Sequence, residues 1–393
     1  MTLELSKVTA QVTQLGEQAA QRQREFEALA PLVREVLRVH RTDDQLIDLA
    51  QRAADTKRWR GAIPIGEPLD SALDPPPHPA RLSIVAGDGS QIYPDAHGIA
   101  LYYLINIGTI TFRHGSGQAP IVSTHPTVSS ETEASSGEEI SSGPLVNAWR
   151  DVGELQHITA AALAESASAP TVALMDGTLA LWVQERTIPQ DEQDHAQRDY
   201  LQQLDRLRET HLPIGAFLSR PRSTNLTQLA YLATFDDRDK ALSYVANDRG
   251  VAFKGLRDVT VLHGWLQAGQ RSALFEVAPA WNTTYRDRGH SIHFFYVNVG
   301  TTASPEIARI EVPVWIAHDQ AAIGLLHTAI VEQCKVSIGY PYVLARAHEI
   351  AVVTNAERAE FDRMIATQLT RLGLEAKLSE KQFQKSLLAA KRH

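Results

Sequence analysis

The sequence predicts a mixed α/β sheet flanked by helices, carrying an N-terminal helical arm. Three observations predict it. Residues 3 to 40 form an amphipathic stretch, and the segments after residue 81 read strand, strand, strand, helix, strand, helix, strand, helix. Two apolar, β-branched runs are each closed by Asp-Gly. A three-stranded antiparallel start followed by alternating units is the pattern of a sheet covered by helices on both faces.

In the arm, Leu3, Val8, Val12, Leu15, Ala19, Phe26, Leu29, Leu32, Val33, Val36 and Leu37 recur at intervals of roughly three and four. The spacing is irregular and alanine-rich, which suits a packing or dimerisation arm better than a long coiled coil. Thr42 is the expected N-cap of a second, short helix. Pro64 to Pro79 includes Asp74-Pro75-Pro76-Pro77-His78-Pro79, cannot be helix interior, and reads as a linker.

Strands are expected at Leu82–Ala86, Ile99–Ile107 and Thr109–Arg113, with Gly108 as a bulge or tight bend. Residues 115 to 143 are rich in Ser, Thr, Gly and Glu and read as a loop. Helices are expected over 144–166, 191–210, 319–336 and 341–354, with another starting at Asn225. Further strands are expected over 171–182, 213–218, 291–299 and 308–314. A helical tail ends basic, with Lys381, Lys385, Lys391 and Arg392. The expected organisation is an arm over 1–62, a Pro-rich linker over 63–80, an α/β domain with insertions over 81–356 and the tail over 357–393.

At 393 residues the chain can bury a large core. A net charge of −8 argues against binding nucleic acid through overall basicity, but leaves room for a local basic groove or a metal site that attracts phosphate. The single cysteine, Cys334, excludes an internal disulfide framework and a multi-cysteine zinc site. With no basic n-region before an apolar h-region, and no apolar run long enough for a membrane span, a cytoplasmic protein is expected.

The chemistry concentrates at Gly87-Asp88-Gly89-Ser90 and Met175-Asp176-Gly177-Thr178-Leu179. Taken singly, Asp-Gly is a common turn. Two copies, each after a hydrophobic strand and before a hydroxyl residue, would put two carboxylates at one sheet edge, where they can hold a hard cation. The second motif also resembles the end of the Asp-x-Asp-Gly-Thr signature of haloacid-dehalogenase-type phosphatases. That chemistry needs a nucleophilic aspartate at the position of Leu174, so the reading fails there.

The wider pattern resembles the NurA nuclease family. The matching pieces are Ala86-Gly87-Asp88-Gly89-Ser90, Arg150-Asp151-Val152-Gly153-Glu154, Leu174-Met175-Asp176-Gly177-Thr178-Leu179 and the run from Gly339 to His348. They occur in the family's order across residues 80 to 355. The resemblance implies an RNase H-like core and a manganese-dependent deoxyribonuclease, with magnesium as the alternative ion. It implies exonuclease and single-strand endonuclease activity in DNA double-strand break end resection, as a homodimer working with a HerA-type hexameric ATPase.

By position, Asp88, Glu154 and Asp176 correspond to the metal-binding carboxylates, and Tyr340 and His348 to an accessory catalytic pair. His348 is placed to ligate metal or protonate the leaving oxygen. The middle acid is open among Glu154, Glu138, Glu139 and Glu165. Arg220 and Arg222, after a strand, are candidate DNA-phosphate contacts. No Gly-x-x-x-x-Gly-Lys-Ser/Thr loop occurs, so any ATPase activity must come from a partner. The non-enzymatic alternative is a catalytically inactive RNase H-like DNA-binding or adaptor module.

Overall fold

The computed structural model describes residues 4–56, 58–94, 102–130, 142–183, 188–246, 253, 255–278, 282–337 and 339–373. Along the chain run α1 (Thr9–Val39), α2 (Asp44–Ala54), β1 (Ala62–Pro64), β2 (Leu82–Ile92), β3 (Tyr102–His114) and β4 (Ile121–Ser130). Then come α3 (Ser142–Ser166), β5 (Thr171–Asp176), α4 (Gln190–Glu209), β6 (Ile214–Leu218), α5 (Asn225–Ala233), α6 (Arg238–Ala246) and α7 (Asp258–Leu262). The remainder is β7 (Phe275–Val277), α8 (Thr283–Asp287), β8 (Ile292–Asn298), β9 (Ile307–Pro313), α9 (Val314–Ala317), α10 (Gln320–Val336), α11 (Tyr342–Ala351) and α12 (Asn355–Arg371). The strands are mixed parallel and antiparallel, and helices flank them, as expected from the sequence.

The chain divides into two units, each assembled from two separated segments. One comprises residues up to His78 together with Ala216–Tyr340; the other comprises Pro79–Gly215 and the chain from Pro341 onward. In the second unit the strand order is β5-β2-β3-β4. β2 pairs antiparallel with β3 and parallel with β5, so it is a central strand. Its first residues, Leu82, Ile84, Val85 and Ala86, are fully buried, which is why they read as a continuous apolar run. On α3, Leu155, Ile158 and Ala162 repeat at helical spacing and are likewise fully buried.

Four local expectations are corrected. β2 does not end at Ala86 but continues through Asp88 to Ile92, held by its ladder to β3. Tyr102–His114 is one strand with no bulge, and Gly108 pairs directly with Asp88. A Cβ there would lie 2.6 Å from the Ala351 backbone nitrogen, so glycine is needed for the close approach of α11. The stretch read as a loop contains edge strand β4, antiparallel to β3. Asp43, not Thr42, caps α2, its carboxylate accepting from the Gln45 and Leu46 amides.

In the first unit the strand order is β1-β7-β8-β9-β6, with the residues of β6 from Ala216 pairing with β9. Ile63 and Pro64, expected to open the linker, instead belong to β1 and pair with Glu276 and Phe275. Proline is tolerated there because β1 ends the strand order, where one side needs no ladder donor. The basic residues Lys381, Lys385, Lys391 and Arg392 lie outside the described residues. Among the described residues no helix is long and apolar enough to cross a membrane.

His327 of α10 is 1% exposed, and burial holds its pKa down to about 4. Its Nε2–H donates to the Gly269 carbonyl at 2.7 Å. The unfolded chain takes up this proton near pH 6.5, whereas the folded chain resists it until about pH 4. Stability from this group is therefore complete above pH 6.5 and is lost as pH falls towards 4, by up to about 3 kcal/mol. In urea melts at pH 7 and pH 4.5, His327→Gln, which keeps an amide donor, should show a smaller acid loss than wild type. Equal losses would refute the assignment.

Candidate metal-binding and catalytic site

β2 and β5 run parallel, and their ladder ends at Gly87 beside Met175. Asp88 on β2 and Asp176, the last residue of β5, therefore follow one another across adjacent strands. Beyond that point β2 continues without β5 beside it. Two helices reach this part of β2 from opposite faces, as the alternation of side chains requires. Gly89 faces α3, where an added Cβ would come within 2.5 Å of Arg150 Cγ and 2.6 Å of Glu154 Oε1. Asp88 and its partner Gly108 face α11.

Both oxygens of Asp88 are engaged. Oδ1 accepts from the Gly89 amide at 2.8 Å, and Oδ2 accepts from His348 Nδ1–H at 2.6 Å. His348 lies two turns into α11 and its side chain is 67% exposed, while that of Asp88 is 21% exposed. Nearby, the Ala351 carbonyl at the end of α11 accepts from Ser90 Oγ and from Asn106 Nδ2. These two bonds tie the end of α11 to β2 and β3, and so fix the height of His348 above Asp88.

Glu154 is buried on α3, 3.2 Å from Arg150 Nε one turn earlier. Its pKa stands well above the ordinary glutamate value. Burial is the largest cause, followed by repulsion from Asp151; Asp88 and Asp176 add to it, while Arg150 opposes it. Asp151 is also raised, by burial first, against the stabilising pull of Arg150 and with a further push from Asp88. The Arg150 guanidinium donates from Nε and Nη2 to Asp151 Oδ1 and from Nη1 to Gln91 Oε1. One arginine thus orients two acids whose negative charge is poorly compensated.

The structure brings Asp88, Glu154, Asp176 and His348 into one unit and one neighbourhood. It removes Glu165 from the competition for the middle acid: Arg113 Nε donates to it at 2.8 Å, near the far end of β2, and lowers its pKa. Glu138 and Glu139 lie outside the described residues. Tyr340 falls in the other unit, edge-on to Phe217 with ring centroids 5.5 Å apart. Arg220 and Arg222 also lie there, with Arg220 paired to Glu306 at 3.2 Å. Sequence reading missed Asp151, although its place three residues before Glu154 puts both on one helix face.

Among the described residues, no three His, Cys, Asp or Glu side chains form a ready ligand set for one ion. The donor chemistry nevertheless fits a hard divalent cation. Asp88, Glu154 and Asp176 are oxygen donors, and the ionised form of Glu154 is disfavoured by burial first and then by the neighbouring acids.

On this mixed sheet the central strand β2 carries Asp88 beside the strand-end Asp176 of β5, with Glu154 buried on α3. The family model for the NurA domain matches residues 82–353, most of the chain, and the chain belongs to the NurA nuclease family. Among solved structures it is similar to the NurA nuclease from Sulfolobus solfataricus, at 12% identity and a TM-score of 0.48, covering 85% of this chain and 96% of that one. A structure of NurA with manganese matches at 11% identity and a TM-score of 0.35, covering 76% and 91%. The catalytic domain of human endonuclease V matches at 12% identity and a TM-score of 0.31, covering 82% and 98%. No curated protein matches the chain.

Proposed function

We propose that this nuclease is a metal-dependent deoxyribonuclease, acting as an exonuclease and a single-strand endonuclease. The observation that carries this reading is that Asp88 and Asp176 follow the end of the ladder between parallel strands β2 and β5, while Glu154 packs against Gly89, the residue after Asp88. Asp88, Glu154 and Asp176 would hold manganese, or magnesium in its place, with His348 either joining them or protonating the leaving oxygen. The bound cation would supply Lewis-acid activation of water and charge stabilisation at the leaving oxygen.

The protein's own groups set up that chemistry. Arg150 fixes the rotamers of Asp151 and Glu154, and Gly89 leaves the space into which Glu154 fits. His348 holds one Asp88 oxygen and its own amide neighbour holds the other, so the carboxylate is oriented before substrate arrives. Arg222, exposed after β6 in the other unit, is assigned to phosphate contact along the DNA.

We place the enzyme in double-strand break end resection with a HerA-type ATPase, on its family membership. Val12 and Leu15 of α1, 60% and 66% exposed, support a homodimer built through the arm. The rival reading is an inactive DNA-binding or adaptor module. Incubating the purified protein with single- and double-stranded DNA in manganese, magnesium or EDTA separates the two. Cleavage is expected with manganese and none with EDTA. Intact DNA under both metals, with and without the ATPase, would leave the adaptor.

A further inference from the structure

We propose a second, phosphate-binding site in the unit that does not carry the carboxylate cluster. A cavity of about 730 Å³ there is lined by Arg34 of α1, Arg220 after β6, and Arg257 and His263 on either side of α7. Glu27 and Glu306 also line it. This volume admits a nucleotide-sized group, and guanidinium forks match the paired oxygens of a phosphate.

Three features point to an anionic ligand. Arg34 donates from Nη2 to the His263 carbonyl at 3.2 Å, but its Nε is shut away from solvent with no hydrogen-bond partner among the described residues. Arg220 adopts φ 47°, a left-handed conformation that L side chains rarely take, with a side chain 86% exposed at the cavity. Arg257 is exposed and forms no ion pair among the described residues.

The two carboxylates cancel only part of this charge. Glu306 pairs with Arg220, and Glu27, held by Gln23 Nε2 at 2.9 Å, keeps its own negative charge against the remaining arginines. Among the described residues Arg34 and Arg257 have no acidic partner. The ligand chemistry is therefore a phosphate, either on a free nucleotide or in the backbone of a single strand. Phosphate binding stands without the nuclease reading; only the strand as its source rests on it.

Binding is measured on the full chain in EDTA, so that no probe is cleaved. The probes are thymidine monophosphate and inorganic phosphate by calorimetry, and fluorescein-labelled oligothymidylate by anisotropy over a series of KCl concentrations. Arg34→Gln and Arg257→Gln should each weaken binding about tenfold, and each should reduce the salt slope for the oligonucleotide by about 0.7. Glu27→Gln should tighten binding, a gain that misfolding does not produce. Weakening for both thymidine monophosphate and the oligonucleotide identifies a nucleotide site; weakening for the oligonucleotide alone identifies a strand phosphate. The proposal is overturned if no probe binds the wild type, or if both arginine variants bind every probe as wild type does. Binding that persists in a chain unable to cleave DNA would sink the nuclease reading and leave this site standing.

Discussion

Asp88→Ala should lower DNA cleavage at least about 10²–10³-fold, the scale on which removing one preorganised electrostatic group acts at a catalytic centre. Asp88 is the residue most tightly oriented in the cluster, with one oxygen on the Gly89 amide and the other on His348. Asp88→Asn, which keeps the shape and loses the charge, should fall comparably. The same change removes one of the carboxylates that disfavour ionised Glu154, so thermal stability should stay level or rise. Loss of activity with an undiminished melting temperature is the expected signature. Activity near wild type in Asp88→Ala would show that the site lies elsewhere.

Glu311→Ala should destabilise the protein by about 3–5 kcal/mol, because it strands a buried guanidinium. Arg309 approaches Glu311 Oε1 from Nε at 3.0 Å and from Nη2 at 2.9 Å, with side chains 6% and 4% exposed. Its Nη1 donates to Asn225 Oδ1 at 2.7 Å, and its plane lies 3.8 Å over the Phe294 ring. Asp258 continues the network, accepting from the Tyr296 hydroxyl at 2.6 Å and from the Leu226 and Thr227 amides at the start of α5. With the glutamate gone, the arginine keeps its packing and loses its neutralising partner. Replacing Arg309 and Glu311 together by apolar residues should cost much less. A denaturant-derived loss under about 1 kcal/mol for Glu311→Ala would refute this account.

What was legible in the sequence was legible for a reason. The runs before Asp88 and Asp176 are apolar on both faces because β2 and β5 are covered by helices, and such strands leave a continuous signal. β4 left none. It lies at one end of the strand order, and Val122 and Val128, at 53% and 48%, are among its exposed residues, so no buried face imposes an alternation on its Ser and Thr residues. Gly87-Asp88-Gly89-Ser90 has the composition of a turn, yet it is strand, since every residue from Leu82 to Ile92 is paired along β3. Local composition records backbone preference, whereas the ladder supplies the hydrogen bonds that override it.

The sequence alone determined that an α/β sheet would carry Asp88 and Asp176 on buried strands, because residue type and period are local quantities. It also brought Glu154 and His348 into view through the order of their motifs. Only the tertiary structure decided how the parts meet. Asp88 lies within β2 rather than at its end, Gly108 admits α11, and Asp151 shares Arg150 with Glu154. Glu165 leaves the site because Arg113, a residue of β3 remote in sequence, claims it. These outcomes depend on which distant segments touch and which charges they leave uncompensated, and no local pattern encodes that.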